Sequence, residues 1–495
     1  MAAETTPRPD PAARAWPLWQ GGEPRPAASG RRFTVLNPAT GQPLAEVAEA
    51  DAADVDAAVQ GACAALASGP WPQLSARERG RLLYRLAESI ERHADELAEL
   101  ETRNNGKPIF ESRQIDIPAT AAVFAYYAGW ADKIEGAVLP VSGPFHAYTR
   151  REPVGVVAAI TPWNFPLLLA SWKLAPALAC GCVVLHKPAE QTPLTALRLA
   201  ELAAEAGFPP GVWSVLPGFG PTAGAALARH PRVDKVAFTG STAVGQEVMR
   251  LAAATNKRVS LELGGKSPNL IFPDADLDAA ARGAYNAIFY GKGEVCAAGS
   301  RLLVDRRIHD QFLAKLLDRA RRLVPGDPMH PKTKLGALVS QRQLDRVLGY
   351  IAAGQKEGAQ LAIGGQRATV PGHEGGFFLA PTVFDHAQPE MTIVREEIFG
   401  PVLATLDFDT FDDAIARANA TSYGLAAGVW TRDLALAHRA ARALKAGTIW
   451  INTYNQYDPA APFGGFGQSG FGRELGRPAL DLYTETKTVW VNLEN

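Results

Sequence analysis

Residues 291–300, GKGEVCAAGS, set a lone cysteine among small residues. Lys292 and Glu294 lie just ahead of Cys296, and Ala297, Ala298 and Gly299 just behind it. Small neighbours let other groups come close to the sulfur. A structural cysteine more often sits among branched apolar side chains and behaves as a small hydrophobe. As a thiolate, Cys296 could attack an electrophilic carbon and form a covalent intermediate. Two other stretches offer what such chemistry needs. TPWNFP (161–166) carries Asn164, whose side-chain N–H groups could hold a developing oxyanion. LELGGKSPN (261–269) places Glu262 at the end of an apolar run, before two glycines. A carboxylate there is either paired or kept partly desolvated as a general base with a raised pKa.

Two further stretches suit a nucleotide. In FTGSTAVG (238–245), Gly240 lets the backbone approach a phosphate, and the helix that follows offers free N–H groups and a positive dipole end. The alternative is that Ser241 or Thr242 only caps that helix. In LHKPAEQTP (185–193), Glu190 could accept hydrogen bonds from an adenosine ribose, with Lys187 as a second contact to the sugar. A carboxylate in that place disfavours a 2′-phosphate, so NAD is expected over NADP. The alternative is a solvated surface pair. PGFGPTAG (217–224) has similar glycine spacing but reads as a turn and a helix start.

These residues need a scaffold, and the patterning supplies one. From about 153, short β-branched runs alternate with Ala/Leu-rich helical segments: VGVVAAI, CVVLHKP, VWSVLPG and VDKVAFTG are the strands. Such alternation predicts right-handed βαβ units in an α/β fold with a doubly wound parallel sheet, which binds ligands at the carboxyl ends of its strands. A second αβ series runs from PNLIF, near 269, to about 465. ARERGRLLYRLAESIERHADELAELETRNNGKP reads as amphipathic helix. The C-terminal TKTVWVNLEN alternates like a strand that must join a sheet, in this subunit or a neighbour.

At 495 residues the chain is too long for one compact core. Lys plus Arg number 50 and Asp plus Glu 51, a balance that gives nucleic acid or an anionic membrane no electrostatic hold. Four cysteines make no disulfide framework, and no short Cys/His motif points to a metal. The N-terminus, MAAETTPRPDPAARAWPLWQ, reads as a flexible Pro/Ala lead-in rather than a secretory signal. LLLASWKLAPALACGCVVL (167–185) contains Lys173, Pro176 and Gly181, so it reads as helix then strand, not a membrane span. The expected location is the cytoplasm.

The motifs together resemble the NAD(P)-dependent aldehyde dehydrogenase superfamily, near its non-acylating tetrameric branch that oxidises acetaldehyde, retinal and betaine aldehyde. ETRNNGKP, EPVGVVAAITPWNFPLL, HKPAEQTPLTAL, VAFTGST, LELGGKSPN, GKGEVCAAGSR, REEIFGPV and PFGGFGQSGFGRELG lie in order, from roughly residue 20 to the C-terminus. The resemblance implies a Rossmann-type cofactor domain (1–138 and 153–263), an α/β catalytic domain (264–465), and a small β oligomerisation and C-terminal part (139–152 and 466–495). It implies a homotetramer, as a dimer of dimers, or a homodimer.

It also implies roles. Cys296 attacks the aldehyde, Asn164 and the Cys296 N–H hold the oxyanion, hydride passes to the nicotinamide, and Glu262 activates water against the thioester. Lys173 and Glu474 match a proton relay, or equally a buried structural ion pair. Trp163, Lys187, Glu190, Gly220, Phe238, Gly240, Ser241, Leu263, Glu397 and Phe399 match cofactor contacts. Phe165, Trp172, Tyr290, Val295, Ala297, Tyr457 and Phe463 match a substrate pocket, although aromatics at such spacing are often plain core. Val295 and Ala297 stand where certain relatives have further cysteines, so substrate choice cannot be copied. Lys292 and Glu294 stand where glutamines are common. The expected substrate is a broad aliphatic or aromatic aldehyde, with betaine aldehyde as alternative. A CoA-acylating relative would generally lack Glu262.

Overall fold

The computed structural model describes residues 14–494. The expected Pro/Ala lead-in therefore lies, for residues 1–13, outside the described residues. Its remainder departs from expectation: Leu18–Gln20 is a strand, with Trp16 and Leu18 buried. These two apolar side chains anchor a segment whose prolines suggested a free lead-in.

Among the described residues, five parallel strands form the centre of an eight-stranded sheet. Their order across it is Trp213–Val215, Val183–Lys187, Val156–Ile160, Lys235–Thr239 and Arg258–Glu262. The chain therefore builds outward from Val156–Ile160 in one direction, then returns to its other side with Lys235–Thr239. That reversal opens a crevice at the carboxyl ends of these two strands. The strands Val156–Ile160, Val183–Lys187 and Lys235–Thr239 are buried throughout, as a sheet covered on both faces requires. Burial of each Val, Leu or Ile side chain contributes roughly 1.5–3 kcal/mol. Antiparallel strands Leu18–Gln20 and then Glu23–Arg25 close one side, and Gly470–Phe471 the other.

A second, seven-stranded sheet runs Gln360–Ile363, Thr382–Asp385, Val402–Phe408, Arg301–Asp305, Pro268–Ile271, Ala426–Trp430, Thr448–Ile451, with only the first strand antiparallel. The step from Glu262 to Pro268 carries the chain from the first sheet to the second. The C-terminal strand, Thr484–Asn492, pairs along its whole length with Phe145–Pro153, and Val138–Leu139 completes a three-stranded sheet. Gly470–Phe471, within the expected C-terminal part, instead joins the first sheet.

The long amphipathic segment is two helices, Ala76–Arg92 and Ala94–Asn105, broken at His93. Ser75 and Glu78 form a capping box at the start. Gly106, at φ +84°, ends the second helix and leaves Asn105 buried beneath the site. No helix among the described residues is long and apolar enough to cross a membrane.

Candidate active site

Val156–Ile160 ends in the loop that carries Trp163 and Asn164, and then enters the buried helix Pro166–Ala179. Lys235–Thr239 ends at Gly240, and Ser241 caps the helix Thr242–Ala253 by accepting from the Val244 N–H at 3.4 Å. Ser241 is thus a cap, and it also lines a cavity of about 290 Å³. Trp163, Asn164, Gly240, Leu263, Glu397 and Phe399 line the same cavity. A second cavity, of about 490 Å³, is walled by Phe165, Trp172, Tyr290, Val295, Tyr457 and Phe463. Cys296 lines both. The sulfur therefore stands where the two spaces meet.

The helix Leu277–Phe289 and the turn Tyr290–Gly293 deliver that cysteine. Burial, then the Glu397 and Glu262 carboxylates, push its thiol up to about 12. Asn164 donates one amide N–H to the Glu294 carbonyl at 2.8 Å, which leaves its second N–H for an oxyanion.

Glu262 ends Arg258–Glu262, and neither of its buried oxygens has a hydrogen-bond partner in the protein. Burial, then the charge of Glu474, raise its pKa well above the usual carboxylate range. Glu474 pairs with Lys173, whose amine also donates to Thr239 Oγ1 at 2.5 Å. Thr239 is the cross-strand partner of Glu262. One buried cluster thus holds Glu262, Glu474 and Lys173, and the charges of Arg473 and Lys235 also act on its carboxyls.

Glu397 accepts from the Gly265 N–H at 2.9 Å, and burial pushes it up to about 7. A side chain at Gly264 would collide with that carboxylate. Phe399 takes φ +63° and meets Trp163 edge-on at 5.2 Å. Phe238 lies beneath Gly240, where a Cβ would come 2.5 Å from its ring. Lys187 and Glu190 pair at 3.3 Å outside the 290 Å³ cavity, and Gly220 opens the nearby turn with clear space over it. Ala297 departs from expectation. It is fully buried and absent from the 490 Å³ cavity wall, because its carbonyl turns inward to accept from Tyr454 OH at 2.9 Å.

Sequence reading missed Ser340, Gln343 and Arg346, which line the smaller cavity. Ser340 caps Gln341–Lys356 and accepts from the Gln343 N–H at 3.2 Å. The S-x-x-Q spacing of SQRQ was the available signal. It missed too the convergence of His309, His386 and Asp407, a set that could hold a metal ion. There, however, His309 puts Nδ1 2.5 Å from Asp407 and Nε2 3.0 Å from Asp385, and its hydrogen bond to Asp385 raises its pKa. The His386 ring stacks on it nearly parallel, at 4.9 Å and 16°, so the two rings' lone pairs do not converge. The cluster reads as two stacked imidazoles held against the Asp385 and Asp407 carboxylates.

The model of the Aldehyde dehydrogenase family matches residues 25–489. The mitochondrial aldehyde dehydrogenase of Homo sapiens is 51% identical over 469 residues, covering 94% of this chain and 90% of that one. An aldehyde dehydrogenase from Bacillus cereus, solved as its NAD+ complex, superposes with a TM-score of 0.95 at 52% identity, over 97% of each chain. The indole-3-acetaldehyde dehydrogenase AldA of P. syringae, in complex with NAD+ and IAA, gives 0.94 at 49% identity over 96% of each chain. With a solitary cysteine between two cavities and an unpartnered carboxyl behind it, the chain belongs to the aldehyde dehydrogenase family and is an oxidoreductase acting on aldehydes.

Proposed function

We propose that the protein oxidises an aldehyde to its carboxylic acid with NAD, through a covalent intermediate on Cys296. The observation that carries this reading is the placement of Cys296 at the junction of an aromatic cavity and a cavity at the sheet's switch point. The smaller cavity suits the nicotinamide end of a dinucleotide. The helix starting at Thr242 offers N–H groups, Glu397 is fixed to accept ribose hydroxyls, and Trp163 and Phe399 pack about the space. Lys187 and Glu190, with Gly220 close by, suit the adenosine ribose, and the carboxylate favours NAD over NADP. The bound dinucleotide supplies a hydride acceptor.

The chain's own groups do the rest. The Cys296 sulfur, once deprotonated, bonds to the aldehyde carbon. The free N–H of Asn164 and the Cys296 backbone N–H hold the oxyanion. After oxidation the acyl group remains on sulfur as a thioester. Ionised Glu262 takes a proton from water, the resulting hydroxide attacks the thioester carbon, and the thiolate leaves. Glu474 and Lys173 support transfer of that proton onward, by their place in the same buried cluster. Lack of any other partner for Glu262 supports hydrolysis over acyl transfer to CoA.

Aromatic walls favour a broad range of aliphatic and aromatic aldehydes. The rings of Trp172, Tyr457 and Phe463, 5.4 to 6.0 Å apart, would also suit a quaternary ammonium, so betaine aldehyde is the second reading. We assign 1–138 with 153–263 to the cofactor and 264–465 to catalysis. The remainder we assign to contact with a second copy: Val138 is 72% exposed and Trp490 57% on the three-stranded sheet, an apolar surface suited to a dimer or a dimer of dimers. Four free cysteines suit the cytoplasm.

Reduced-nicotinamide absorbance tests the reading, with NAD or NADP against acetaldehyde, hexanal, benzaldehyde, phenylacetaldehyde and betaine aldehyde. Turnover with NAD that disappears in Cys296→Ala upholds it. Turnover only after CoA is added overturns the role of Glu262.

A further inference from the structure

Gly291, Lys292 and Gly293 take three consecutive left-handed conformations, with φ of +56°, +64° and +68°. Glycine does this freely, whereas an L-residue such as Lys292 is strained there. Lysine is also a poor choice for a position that is only 1% exposed. Both penalties are offset by what its amine reaches. Lys292 Nζ donates to the Asn105 carbonyl at 2.9 Å and to Asn105 Oδ1 at 2.8 Å, and pairs with Glu294 at 2.8 Å.

Each partner leads to the reacting groups. With Oδ1 committed to the lysine, the Asn105 amide is oriented to donate from Nδ2 to the Trp163 carbonyl at 2.6 Å. Trp163 is the residue before Asn164. Glu294, held by Lys292 at one oxygen, accepts from the Val339 N–H at 3.0 Å with the other, and its backbone carbonyl receives the Asn164 amide at 2.8 Å. The Asn164 side chain is therefore fixed from both sides. One route runs through its own main chain, the other through the segment that carries Cys296.

We propose that Lys292 is a positioning residue that sets the Asn164 amide against Cys296, through Asn105 on one side and Glu294 on the other. The proposal rests on the reading of Asn164 as oxyanion donor. It acts by geometry rather than charge. Burial, then the Glu397 and Glu262 carboxylates, are the leading causes that raise the Cys296 pKa. Loss of the clamp should therefore slow acylation and leave the thiol's own titration in place.

The test compares wild type with Lys292→Met, Asn105→Ala, Asn164→Ala and the double variant Lys292→Gln with Glu294→Gln. kcat, KM for NAD, melting temperature and the pH midpoint of Cys296 alkylation by iodoacetamide are read for each. Lys292→Met and Asn105→Ala should each lower kcat by about 10²-fold, the scale of a misplaced or lost oxyanion donor. Their KM for NAD and alkylation midpoint should stay at wild-type values. The double variant replaces the buried ion pair with two neutral amides, the one at 292 a bond shorter than lysine, and should recover part of the rate. If Lys292→Met does not fold, Asn105→Ala carries the test, since it leaves the ion pair intact. A kcat within twofold of wild type in these variants, or an alkylation midpoint that moves with Lys292, overturns the proposal. An Asn164→Ala variant at full rate would instead remove the donor reading, and the clamp's catalytic role with it.

Discussion

The Glu262 carboxylate opposes ionisation of the Cys296 thiol, and burial in the same interior makes that opposition costly. In the proposed reaction the Cys296 thiolate is therefore best formed while Glu262 is protonated, and Glu262 is needed as a base only afterwards. Glu262→Gln removes this charge but keeps the shape. At pH 8 its Cys296 should react with iodoacetamide faster than wild type does. Turnover should fall by about 10²-fold, because no base remains to release the acyl group. Slower alkylation in the variant would show that Glu262 promotes the thiolate instead.

The raised Glu262 pKa also links stability to pH. Its folded-state value lies above the unfolded carboxylate value of about 4.3, so the folded protein holds this proton more tightly. The contribution to stability is complete below that unfolded value. It is lost as pH rises through the folded one. Glu397, raised to about 7, acts in the same sense. Melting temperature should therefore decline as pH rises from about 4.3 through neutral, and less steeply in Glu262→Gln. An identical decline in the two proteins would refute the assignment.

Lys173 pairs with Glu474 in a cluster that holds two carboxyls, and none of the three is exposed. Lys173→Met leaves Glu474 buried without its partner, which should destabilise the protein by about 3–5 kcal/mol. Adding Glu474→Gln should recover part of that loss. Urea midpoints for the single and double variants measure both effects, and additive losses would mean that the pair is not coupled.

Tyr457 stands at the mouth of the aromatic cavity, 39% exposed, with its ring 5.5 Å from Phe463 and 6.0 Å from Trp172. Tyr457→Ala should raise KM for benzaldehyde by roughly 5- to 10-fold, the scale of one lost aromatic contact. KM for acetaldehyde should change little. Equal changes for both aldehydes would place the substrate elsewhere.

Trp490 packs edge-on against Phe145 at 5.8 Å yet keeps more than half its surface exposed. Trp490→Glu should reduce the mass found by light scattering at micromolar protein, with turnover per subunit still measurable. An unchanged mass would move the contact off this sheet.

The strands that frame the site were legible because period and composition are local properties: VGVVAAI and VDKVAFTG are buried runs, and both proved to be central strands. Cys296, Asn164 and Glu262 could be singled out as candidates because each stands in a short stretch of unusual composition, while the roles proposed for them came from the family resemblance. What escaped depends on pairing across distance. Ala297 adjoins the nucleophile in sequence, yet backbone direction turns it away from the cavity. Lys292 has no local pattern that shows its partner to be Asn105, 187 positions earlier. The His93 break also escaped, since the charged and apolar periodicity continues through it.

The edge of the first sheet has a consequence for when this enzyme becomes reactive during its own synthesis. Leu261 and Glu262 pair with Phe471 and Gly470, and Glu474 lies three residues beyond. The proposed base is thus flanked by residues synthesised more than 170 positions after Cys296. The strand that follows, Thr484–Asn492, reaches back to Phe145–Pro153. A nascent chain that has delivered Cys296 still lacks the surroundings that time its chemistry, so the thiol is translated long before it can be put to use.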